Sequence, residues 1–176
     1  MEIKKSAKVG QAIERLMKSE ELNGSQLAMD LNVSRQHGSH MKTGRRNMPQ
    51  DIAQESIRTY DNPEYITDIM FEFSSGYTPP VFRGKNLERH RLAIEQMTIC
   101  EMEEAIRTMR AVCLVKPPQQ LDKTERENVG NLIDEILDAR TFIDNLLIQL
   151  QSEYKISIKK RIAACIPRWK ARGWLG

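Results

Sequence analysis

Apolar residues recur at helical spacing along almost the whole chain. Between residues 5 and 18 they fall at Val9, Ala12, Ile13, Leu16 and Met17, one face of an amphipathic helix. The same period predicts short helices over 25–31 and 34–43 and a fourth over 49–60. Asn62-Pro63 then opens a fifth over 64–74, with Asn62 as cap and Pro63 in the first helical position. The run Ser74-Ser75-Gly76-Tyr77-Thr78-Pro79-Pro80 is the clearest break, because proline removes an N–H and clashes with the preceding turn.

A domain boundary is expected there, with a first domain over 1–74, a linker over 75–85 and a second domain over 86–176. In the second, residues 86–115 read as helical. Thr98 and Glu101 have the spacing of a capping box, which would divide that stretch near Met97. Pro117-Pro118 ends it. Residues 122–154 then read as one helix of about 45–50 Å at 1.5 Å per residue. A last, basic helix over 157–169 is interrupted by Pro167. Strand-like alternation is scarce. The expected class is all-α, a five-helix domain followed by a helical bundle with one long helix.

Charge refines this division. The net charge is +3, but it is unevenly spread. Residues 1–60 carry ten Lys/Arg against seven Asp/Glu, residues 61–154 ten against seventeen, and residues 155–176 seven basic side chains with no acidic one. Basic ends around an acidic middle suggest an anionic partner. The tail, with Lys159, Lys160 and Arg161 beside Ile158, Ile162 and Trp169, is expected first to neutralise the acidic middle. Contact with flanking DNA phosphates ranks second and a membrane surface last.

The longest apolar runs are about four residues, against the roughly 18 to 20 needed to cross a bilayer. The N-terminal stretch lacks the apolar core of a signal peptide, so a cytoplasmic location is expected. Cys100, Cys113 and Cys165 are odd in number and widely spaced, so buried, reduced thiols are expected rather than a disulfide framework or a zinc site. No nucleotide-binding glycine motif or Gly-x-Ser-x-Gly nucleophile motif is present, and neither an enzyme nor a cofactor is expected.

The most informative stretch runs from Leu22 to Pro49. Asn23 is a good N-cap, and Gln26 three residues later can bond back to it. Leu27 and Leu31 face a core, with small Ala28 between them where a second helix crosses close. Asn32 tolerates the positive φ of a tight turn, Val33 plugs the space beside it, and Ser34 caps the next helix. Met41 buries its far end, Gly44 closes it in a left-handed cap, and Arg45-Arg46 follow.

The Leu-Ala, Asn-Val-Ser and Lys-Thr-Gly-Arg-Arg elements at this spacing resemble the Xre family, the phage repressor-like (lambda repressor-like) helix-turn-helix domains. The resemblance covers roughly residues 5–73. It departs at Gly38, where the family usually has an aliphatic residue. Glycine there costs about 1 kcal/mol against alanine and leaves a packing gap.

The resemblance implies a recognition helix over 34–43, lying in the major groove of duplex DNA. Its outward residues Arg35, Gln36, Ser39 and His40 would read bases, Arg35 with the fork for guanine and Gln36 with the amide for adenine. Ser25 and Gln26, at a helix N-terminus, would meet a phosphate through backbone N–H groups. Ser34, His37, Arg45, Arg46 and Asn47 are the other expected phosphate contacts. His37 and His40 share a face but lack a third ligand, so no metal is expected.

One small domain makes few contacts, and reading two half-sites calls for a homodimer. Val129, Leu132, Ile136, Ile143, Leu146 and Leu150 supply the expected dimerisation stripe, which is wide enough to suit a bundle. The function expected is therefore a sequence-specific, double-stranded-DNA-binding transcriptional regulator, a phage- or prophage-type repressor acting as a dimer. The alternatives are an antitoxin-like or adaptor protein that holds a protein partner through its C-terminal helices, or an architectural or replication accessory protein. No membrane partner is expected.

Overall fold

The computed structural model describes residues 3–176; the first two residues of the expected first domain lie outside that description. The described residues are mostly helical, with eight α-helices and one two-stranded sheet. None of these helices is long and apolar enough to cross a membrane. The described residues divide into two compact units, one of residues 3–81 with 151–176, the other of residues 82–150. Residues 151–176 thus cluster with the N-terminal unit, whereas the sequence reading grouped them with 86–150.

In the first unit, strand β1 (Ser6–Ala7) pairs antiparallel with β2 (Met48–Pro49), Ser6 opposite Pro49 and Ala7 opposite Met48. Two residues are too few to show alternation, and the pairing takes up backbone that helical periodicity had assigned to a helix from Lys5. Helix α1 (Gly10–Ser19) therefore begins five residues later than expected. Gly10 sits where α1 meets the end of α3 (Arg35–Lys42). A Cβ there would fall well inside contact distance of the Lys42 carbonyl oxygen, so glycine is what permits the approach.

Helices α2 (Gly24–Asp30), α4 (Gln50–Thr59) and α5 (Pro63–Phe73) complete this layer. Asn62 caps α5 by accepting from the Tyr65 N–H at 3.0 Å, with Pro63 in the first turn as expected. Ala12, Ile13 and Leu16 of α1, Leu27 and Leu31, Met41, and Tyr65, Ile69 and Phe73 of α5 form one buried core. Arg15 ties α1 to Asp68 of α5 at 2.8 Å. The Tyr60 hydroxyl donates to Asp30 at 2.7 Å, and burial with that carboxylate raises its pKa.

The second unit is a helical hairpin. Helix α6 (Arg91–Ala111) is continuous. The expected break near Met97 does not occur, because the Thr98 hydroxyl donates back to the Ile94 carbonyl at 2.7 Å instead of capping a new helix. Its start is also later than residue 86, with His90 as N-cap. After a 3-10 turn at Pro118–Gln120 comes α7 (Lys123–Tyr154), 32 residues and about 48 Å long. Asp122 and Glu125 form a reciprocal cap at its start, and Lys116 grips Glu125 across the turn at 2.6 Å.

Near the other end, the Phe82 N–H donates to Asn145 at 2.8 Å, and the Phe82 ring meets Phe142 edge-on. Thr98 also reaches the Phe142 carbonyl at 3.4 Å. Carboxylates crowd the middle of the hairpin. Burial, with Glu104, Asp138 and Glu135 nearby, raises the pKa of Glu101.

Helix α8 (Ile158–Ala171) runs through Pro167 rather than ending before it. Its place in the first unit is secured by hydrogen bonds. Gln151 donates to the Asp61 carbonyl at 2.7 Å and accepts from the Ile158 N–H at 2.7 Å. Lys159 donates to the Ile57 carbonyl at 2.7 Å, at the C-terminal end of α4 where the helix dipole favours a cation. The basic tail thus finds acceptors in backbone carbonyls of its own unit. The cysteines are free, but Cys113 is exposed and the other two half-exposed, so they are not the buried thiols expected.

Candidate nucleic-acid interface

The site is built from α2, the turn after it, α3 and the residues up to Asn47. Local chemistry sets each joint. Asn23 accepts from the Ser25 and Gln26 N–H groups at 2.9 and 3.0 Å, and Gln26 Oε1 accepts from the Asn23 N–H at 2.8 Å. This is the reciprocal cap expected from the Asn-x-x-Gln spacing. It also changes how this end of the helix can meet an anion. The Ser25 and Gln26 amides are already satisfied internally, so their available donors are the Ser25 hydroxyl and the Gln26 side-chain amide rather than backbone N–H groups.

Asn32 has φ of +50°, the left-handed conformation that lets the chain turn within a few residues. Ser34 then caps α3 by accepting from the His37 N–H at 3.1 Å. At the other end Thr43 Oγ1 donates to the Ser39 carbonyl at 2.9 Å. Gly44 has φ of +70°, and the Arg46 N–H returns to the His40 carbonyl at 3.1 Å.

Helix α3 is two-sided. Arg35, Gln36 and Ser39 are exposed, His40 is half-buried beside them, and Gly38 and Met41 on the opposite side are buried. Four of the expected base-reading residues therefore share one outward face. His37 is half-buried, and its Nε2 is buried without a hydrogen-bond partner, so that atom is not presented as a phosphate donor.

Ser25, Gln26, Ser34, Arg45, Arg46 and Asn47 are all exposed. Asn47 reaches the Ser6 hydroxyl at 3.5 Å, which links the loop after α3 to β1. Between residues 31 and 50 there are four Lys/Arg and no carboxylate.

Gly38 is the departure from the expected pattern, and its surroundings are mild. A Cβ there would lie 3.9 Å from the Ala28 Cβ and 4.0 Å from Val33 Cγ2, ordinary contact distances. The gap beneath the helix is about one methyl deep.

An open groove of about 430 Å³ adjoins the site, lined by Lys8, Gly10, Lys42 and Gly44 and by the carboxylates of Asp68 and Glu72 among others. Lys8 and Lys42 border the site, a placement the sequence reading did not single out. The signal was Gly10, since a glycine opening an amphipathic helix marks a close approach of another backbone.

The expected dimerisation residues do not stay together. Ile136, Ile143 and Leu150 of α7 are exposed and Val129 is half-exposed. Leu132 is only 4% exposed, and Leu146 is also turned partly inward. Leu132 is used in packing within the unit, which removes it from an outward stripe. Compared with protein-family models, curated proteins and solved structures, the chain matches none.

Proposed function

We propose that this chain is a sequence-specific double-stranded-DNA-binding regulator of transcription that acts as a homodimer, with α2, the Asn32 turn and α3 as a helix-turn-helix. The observation that carries the reading is the outward face of α3. A guanidinium, an amide and a hydroxyl at Arg35, Gln36 and Ser39 project from one side of a helix capped at Ser34, amid four cations and no carboxylate. These are the groups that read purine edges in a major groove, and the helix is rigid because its back face is buried. Arg45 and Arg46, exposed just beyond the Gly44 cap, supply the sequence-independent phosphate attraction. The chemistry belongs to binding: no cofactor enters this reading.

Selection of bound sequences from a random duplex pool at about 150 mM salt, where non-specific binding is weak, tests it. A pseudo-palindrome with half-sites about one helical turn apart is expected. No enrichment from a folded protein would overturn sequence-specific reading. Arg35→Ala and Gln36→Ala should each relax preference at one base pair by about 1–3 kcal/mol. Arg45→Ala should weaken all sequences alike and flatten the salt slope.

An adaptor that holds another protein is the second reading. It is favoured by the apolar side chains left exposed on α6 and α7. A stable one-to-one complex of those helices with a different chain, in place of a homodimer, would select it.

A further inference from the structure

The segment before α1 is held in place. The Lys4 N–H donates to the Phe73 carbonyl at 3.0 Å, and the Lys5 carbonyl accepts from the Gln50 N–H at 3.0 Å. Ala7 and Val9 are each 3% exposed and belong to the core. Side chains alternate along an extended strand, so Ser6 and Lys8 face outward. The ribbon sets Ser6 opposite Pro49 and Ala7 opposite Met48, which makes Lys8 and Asn47 the next pair in register. Asn47 reaches the Ser6 hydroxyl at 3.5 Å on that same outer face. Lys8 therefore stands beside the loop that carries Arg45 and Arg46.

A second contact brings Lys8 to the end of α3. Gly10 opens α1 against the Lys42 carbonyl, where a Cβ would not fit. Two residues of chain span at most about 7 Å, so the Lys8 backbone lies within that distance of Gly10. Lys8 and Lys42 accordingly border one groove, together with Thr43 and Gly44.

Lys8, Lys42, Arg45 and Arg46 are exposed, and none has an ion-pair partner among the described residues. The groove holds two carboxylates. Asp68 is engaged by Arg15 at 2.8 Å, and Glu72 pairs with none of the four cations. Four unpaired cations from two chain segments thus gather around the C-terminal end of α3 and the ribbon beside it. A helix in a major groove about 12 Å wide is flanked by both phosphate strands. When its N-terminal end leads, its C-terminal end lies at the groove's edge, where one of those strands passes. That strand offers a negative charge about every 3.4 Å along the axis, a repeating anion matched by cations spread over two segments.

We propose that Lys8 and Lys42 extend the duplex-binding surface: with Arg45 and Arg46 they hold neighbouring phosphates of the one strand that passes the C-terminal end of α3. The proposal rests on the helix-turn-helix reading above and adds the N-terminal ribbon to it. Pairing of β1 with β2 then has a consequence for binding, because it fixes Lys8 relative to α3 before the duplex arrives. The added contacts position the duplex without reading it, since an ammonium on a phosphate meets no base edge.

The test uses the full chain and the duplex selected from the random pool. Lys8→Gln and Lys42→Gln keep side-chain length and remove the charge, whereas Lys8→Arg keeps the charge. Lys123→Gln, at an exposed position of the second unit, controls for net charge. Plots of log affinity against log salt should be shallower by about 0.9 for each of Lys8→Gln and Lys42→Gln, the value of one phosphate contact, with the preferred sequence unchanged. Lys8→Arg and Lys123→Gln should keep the full slope. Ethylation of single phosphates should reveal one position that weakens the unaltered chain but not Lys8→Gln, on the same strand as the position lost by Arg45→Ala. An unchanged slope for Lys8→Gln on a duplex that is still selected would overturn the proposal and leave sequence reading standing. An equal loss in Lys123→Gln would make the effect one of net charge and overturn it too. No selected sequence from a folded chain would overturn the helix-turn-helix reading and this proposal with it.

Discussion

Leu16 and Leu147 carry the same side chain on two amphipathic helices, yet one is 1% exposed and the other 40%. The difference lies in how many elements surround each helix. The first unit packs α3 and α5 against α1 and adds Ala7 and Met48 of the ribbon to the same core, so the apolar positions of that helix find neighbours. In the second unit α6 and α7 have chiefly each other. A pair of helices can bury one stripe apiece, and these helices carry two. The first unit is therefore closed around its own core, whereas the second leaves apolar side chains of both its helices exposed.

Mutations can break that contrast. Leu16→Ala should cost the first unit about 2–5 kcal/mol, with a cavity left among side chains that cannot collapse. Urea denaturation followed in the first unit reads it directly, and a loss below 1 kcal/mol would mean that this core is loosely packed. Leu147→Asp should leave the first unit folded but raise the dimer dissociation constant at least 100-fold, the equivalent of about 3 kcal/mol for an unpaired charge in an apolar interface. An unchanged sedimentation profile would place the interface elsewhere.

Gly38→Ala should stabilise the first unit by about 1 kcal/mol, because the added methyl meets Ala28 and Val33 at ordinary contact distance in a helix that glycine weakens. Destabilisation would show that α3 cannot accept even that volume against α2.

The smallest effect is expected at Glu101→Gln. The folded pKa of Glu101 lies above its ordinary 4.5, so its contribution to stability is present below that value and is lost as pH rises through the folded pKa. At neutral pH the substitution should therefore stabilise the hairpin by a few tenths of a kcal/mol, the order of a like-charge pair on helix surfaces. Below pH 4.5 the gain should vanish. A gain that is independent of pH, measured by thermal melts across that range, would remove the carboxylate cluster as its cause.

Much of the candidate site was legible because its geometry is local. Asn23 with Gln26, Asn32, Ser34 and Gly44 each act on backbone within a few residues, so their caps and left-handed turns follow from residue type and spacing. The outward set Arg35, Gln36 and Ser39 followed from the period of one helix. The availability of the Ser25 and Gln26 amides did not, since the cap that orders the helix also consumes them. Lys8 and Lys42 were hidden because Gly10 brings together segments thirty residues apart.

What the chain determined by itself is thus its helical class, the identity of its caps and turns, and the two-sided chemistry of α3, all products of interactions along a few residues. Tertiary structure alone decided where α1 begins, because β1 takes the residues before it for pairing with β2. It also decided that Leu132 is buried while Ile133 faces out. A helical stripe wider than one neighbour can cover leaves its rotation open, and only the packing of α6 against α7 selects which apolar residues remain exposed.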